Sequence, residues 1–122
     1  MIKLGAVNLD VSHPLAFTWA VEAIQKEREF DVKYTARLIN SNDYLIFDAE
    51  ALYGFVAGIL ASNHDVTDLF IDGALKIANN DMAAFEGFLK AVDELVSKVN
   101  VNVVMTSSIP AEAASDVVKK YI

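Results

Sequence analysis

The chain has 122 residues, ten basic and seventeen acidic, for a net charge of −7, and so has room for one domain (1–122) around one core. That charge repels phosphate backbones and anionic lipid, which argues against nucleic acid and membrane surfaces as partners, while the lack of cysteine removes disulfides, thiol catalysis, iron–sulfur clusters and zinc–thiolate sites. The apolar fraction of 54% is high for a small chain and implies that a partner covers part of the surface, most simply a second copy in a homodimer.

Residues 2–8 form a short apolar run that reads as a buried strand. Lys3 interrupts the apolar opening and no small-residue cleavage site follows it, so a cytoplasmic setting is expected. Ser12 is a good N-cap and Pro14 suits a first helical turn, which predicts a helix to about Glu29. Leu15, Phe17, Trp19, Val21, Ala23 and Ile24 supply its buried side. Residues 32–39 alternate and are rich in β-formers, which predicts a second strand, and Asn40-Ser41-Asn42-Asp43 is a turn.

Residues 44–47 read either as a further short strand before a helix that starts near Asp48, the preferred reading, or as part of one helix over 43–61. The apolar stretch over 44–61 contains Asp48 and Glu50, each costly in hydrocarbon, and so reads as a buried helix rather than a membrane span. Within it, Gly54 and Gly58 form a small pair four apart, expected to let the helix pack closely on the sheet. Residues 67–72 make an apolar strand closed by Asp72-Gly73, and a loop over 74–80 leads to Asp81, the N-cap of a helix through Lys98. A last strand covers 101–106 and a final helix covers 111–121.

Alternating units of this kind predict an α/β fold, a three-layer α/β/α sandwich with a mostly parallel four- or five-stranded sheet. In such sheets ligands bind beyond the carboxyl ends of the strands. The residues expected there are Asn8, Asp10, Ser12 and His13 after the first strand, Asn40 to Asp43 after the second, Asp72 and Gly73 after the third, and Thr106, Ser107 and Ser108 after the last. Asp10 and Asp72 are hard oxygen donors that suit magnesium. His13 reads more simply as an early-helix residue, and His64 as exposed. Ser107 is a candidate nucleophile, although no G-x-S-x-G surrounds it. No G-x-x-x-x-G-K-[ST] and no G-x-G-x-x-G occurs, so the usual seats for nucleotide phosphates are missing.

Three partial resemblances follow from these residues. Asp68-Leu-Phe-Ile-Asp72, the helix after it and Val103-Val-Met-Thr-Ser-Ser108 resemble the second half of RecA/KaiC-like P-loop domains. With no Walker A loop, that resemblance implies a degenerate nucleotide-binding-type domain, P-loop-like or Rossmann-like in fold. The same segment resembles response-regulator receiver domains, which implies Asp72 as phospho-acceptor and Thr106 or Ser107 as switch hydroxyl. Residues 4–17, with Leu9-Asp-Val-Ser-His13, resemble the opening of Gfo/Idh/MocA-type oxidoreductases, which implies a stand-alone relative of their nicotinamide domain. The expectation drawn from all this is a non-catalytic module that binds a partner or small ligand at the carboxyl edge of its sheet. A magnesium-dependent nucleotide- or phosphate-handling enzyme built on Asp72 is the alternative.

Overall fold

The computed structural model describes residues 2–6 and 37–122. Its centre is β3 (Asn102–Ser107), flanked by β1 (Ile2–Ala6) and β2 (Asp68–Ile71) in the order β1-β3-β2. Both pairs are parallel, with Ile2 opposite Val103, Ala6 opposite Ser107, Leu69 opposite Val103 and Ile71 opposite Met105. The carboxyl ends of the three strands therefore share one edge.

The side chains of β3 alternate. Val103, Met105 and Ser107 are buried, while Val104 and Thr106 are half-buried and Asn102 is exposed. This is the period of a strand with one face in the core. Along the other face the register sets Asp68 beside Asn102 and Phe70 beside Val104.

The helices follow their caps. The Asp48 carboxylate accepts the Ala51 N–H at 2.7 Å and starts α1 (Ala49–Ser62), which buries Leu52, Val56 and Leu60 at a spacing of four. Asp81 does the same for α3 (Met82–Val99), accepting the Ala84 N–H at 3.2 Å. This helix buries Phe85, Phe88, Leu89, Val92 and Val96 and ends at Asn100 in the left-handed region. Burying each such side chain contributes roughly 1.5–3 kcal/mol, and all of them join Ile2, Ile71, Val103 and Met105 in one continuous core. After β3, Ala111–Ala113 forms a 3-10 turn, and Ser115 caps the short α4 (Asp116–Lys119). The Tyr121 hydroxyl then donates to the Asp93 carboxylate at 3.0 Å and ties the C-terminus to α3.

Several expectations need correction. A four- or five-stranded, three-layer Rossmann-like sheet is not seen; three strands pair among the described residues. Residues 44–47 do not form a strand. The Asn40 side chain accepts the Asn42 N–H, the chain winds into a 3-10 turn over Ser41–Tyr44, and Leu45 turns left-handed. Residues 37–39 of the proposed second strand have no regular structure, and its first part, with the helix over 12–29, lies outside the described residues. The expected loop after Asp72 contains α2 (Ala74–Ile77), whose Ala74 and Leu75 are buried. The final helix is divided, because the capping Ser115 restarts it after the turn.

Gly54 and Gly58 also differ from expectation. A Cβ at either position would meet nothing within 4 Å. They face open space on the exposed side of α1, and no close packing requires them.

Candidate functional site

At the carboxyl edge of the sheet, Asp72 directly follows β2 and Thr106 is the penultimate residue of β3. Continued register makes them cross-strand neighbours on the face opposite the core. The Thr106 hydroxyl donates to Asp72 Oδ1 at 2.5 Å and accepts the Gly73 N–H at 2.9 Å. Gly73 has φ +67°, a left-handed value that glycine adopts without steric cost, and this turn aims its N–H back at the threonine. One hydroxyl thus holds together the ends of two strands. The Asp72 carboxylate stands exposed at the rim while Thr106 is half-buried behind it.

Ser107 lies on the other side of the same strand. Only 1% of it is exposed, among Val103, Met105 and the rest of the core-facing set. The reading of Ser107 as a rim nucleophile is therefore corrected. β3 runs one residue further than expected, and strand alternation sends 107 inward when 106 points outward. His64 is exposed in the turn that leads into β2, at the opposite edge of the sheet from Asp72. It cannot serve as a base there.

Asn8, Asp10, Ser12 and His13 lie outside the described residues, as does the proposed pairing of Asp10 with Asp72 around magnesium. Among the described residues, no group of three His, Asp or Glu side chains is placed to hold a metal ion. Also among the described residues, no helix is long and apolar enough to cross a membrane.

No protein-family model, curated protein or solved structure matches this chain.

A second feature adjoins this edge. Asn79, just after α2, donates its side-chain N–H to the Phe47 carbonyl at 3.0 Å. This bond brings the turn over 40–47 against the segment that follows β2. Ile46 is buried as the anchor of the turn, whereas Tyr44, Leu45 and Phe47 are 50%, 73% and 55% exposed. Sequence reasoning missed this cluster, because an apolar Tyr-Leu-Ile-Phe run reads as a buried strand. The signal that pointed the other way was the Asn-Ser-Asn-Asp turn immediately before it.

Proposed function

We propose that this chain is a non-catalytic binding module that takes a small ligand or a partner at the carboxyl edge of its sheet, with Asp72 as the contact group and Gly73 and Thr106 as its support. The observation that carries this reading is the Thr106 hydroxyl, bonded at once to Asp72 and to the Gly73 N–H. A hydroxyl held in this way positions a carboxylate and is poorly placed to act as a nucleophile. An exposed carboxylate so positioned suits a hydrogen-bond donor, such as an ammonium, guanidinium or hydroxyl group.

The test is amide chemical-shift mapping with putrescine and arginine methyl ester as probes. Shifts at Gly73, Thr106 and Ser108 that disappear in Asp72→Asn support the reading. Shifts that survive that substitution, no shifts with either probe, or steady ATP turnover that depends on Asp72 would overturn it.

The Thr106–Asp72 bond also favours a second reading, a phospho-switch. The Asp72 carboxylate oxygen would attack the phosphorus of an acyl phosphate and displace the carboxylate leaving group, and the Thr106 hydroxyl would then donate to the new phosphoryl oxygens. Incubation with acetyl phosphate and magnesium, followed by intact-mass measurement, decides it. An unmodified protein retires the idea.

A further inference from the structure

We propose that the turn carrying Tyr44, Leu45 and Phe47 is a docking surface for a basic amphipathic segment of a protein partner. It stands on residues other than the Asp72–Thr106 pair and goes beyond the edge site.

The turn is built to hold its shape. The Asp43 N–H bonds the Asn40 carbonyl at 3.1 Å, the Ile46 N–H bonds the Ser41 carbonyl at 3.1 Å, and Asn79 fixes the Phe47 carbonyl. Ile46 plugs into the core and the Tyr44 ring tilts against Phe55 at 5.3 Å. Despite these anchors, Leu45 and Phe47 stand more than half exposed and Tyr44 is half-exposed. Leu45 has φ +56°, a left-handed value that a leucine adopts only at a steric cost. A rigid turn that exposes apolar side chains binds with little loss of conformational entropy, which is the preorganisation a docking surface needs.

Charge selects the occupant. Asp43, Asp48 and Glu50 lie in the turn and the first turn of α1, all exposed. Among the described residues no cation pairs with them, and the one ion pair is Lys98–Glu94 on α3. The patch is therefore apolar at its centre with carboxylates beside it. A second copy docked through this surface would set these carboxylates against their own duplicates in a protein of net charge −7, and anionic lipid is repelled for the same reason. A helix with leucine-like residues on one face and lysine or arginine along its margins matches both features.

The experiment is an anisotropy titration of the full chain with a labelled helical peptide of leucine and lysine at heptad spacing, beside a scrambled peptide of the same composition. The expected result is binding of the amphipathic peptide alone, weakening as salt rises. Leu45→Asn with Phe47→Ser should weaken it about tenfold or more. Asparagine is at ease in the left-handed region, so the first substitution keeps the turn folded, and circular dichroism and the melting midpoint verify this. Asp43→Asn with Glu50→Gln should flatten the salt dependence, and Asp72→Asn should leave binding unchanged, which separates this surface from the edge site. Equal binding of the scrambled peptide, no binding of either, or binding indifferent to Leu45 and Phe47 would overturn the proposal. So would a dimer in sedimentation that Leu45→Asn dissociates, or binding to phosphatidylserine vesicles that Leu45→Asn with Phe47→Ser abolishes.

Discussion

The Thr106 hydroxyl stands between Asp72 and Gly73, giving its proton to the first and taking the N–H of the second. Across 33 residues of sequence it joins the carboxyl ends of β2 and β3. Thr106→Val keeps the shape and removes both bonds, leaving the part-buried Gly73 N–H without this acceptor. It should cost about 1–3 kcal/mol in urea unfolding, whereas Thr106→Ser should stay within about 0.5 kcal/mol. Equal stability of the valine and serine variants would remove the hydroxyl from its structural role.

The glycines divide by conformation. Gly54→Ala and Gly58→Ala, each on the open side of α1, should stabilise the protein by about 0.5–1 kcal/mol apiece, because alanine loses less backbone entropy in a helix. Gly73→Ala should destabilise by about 1 kcal/mol, since its φ of +67° strains any L side chain although a Cβ there would meet Lys76 Cβ only at an ordinary contact distance of 3.9 Å. Thermal melts of the three variants test the contrast. Destabilisation by Gly54→Ala would show that this face is covered.

Burial, the hydrogen bond to Asp93 and the charge of that carboxylate, in that order, hold the Tyr121 hydroxyl above the ordinary tyrosine range. The folded protein therefore keeps this proton after the unfolded chain has begun to release it. Above about pH 10 the unfolded state binds fewer protons, and stability falls with rising pH. The contribution is complete below that value. Tyr121→Phe should lessen the alkaline loss, read as the difference between the two proteins in urea midpoints from pH 8 to 11. Parallel profiles would dismiss the linkage.

Leu45 is both strained and exposed. Leu45→Asn should leave stability unchanged or raise it by up to about 1 kcal/mol, measured by chemical unfolding. A clear loss would mean that the side chain contributes packing inside this chain, and would weaken the case for a docking surface.

Local chemistry was legible wherever the residue next door decides the outcome. Asp48 and Asp81 marked the starts of α1 and α3 because a carboxylate at an N-cap satisfies an amide three residues on. Asp72 and Gly73 stood out as a strand end, and they are one. Only the tertiary structure decided that β3 lies between β1 and β2, because strand order depends on distant contacts that no local pattern encodes. It alone set Thr106 against Asp72 and sent Ser107 into the core, since a shift of one residue in a strand's end reverses which face a side chain takes. It also turned Tyr44, Leu45 and Phe47 outward. Hydrophobic side chains enter a core only where the backbone can follow them, and the turn at Asn40 to Asp43 carries these three away from it.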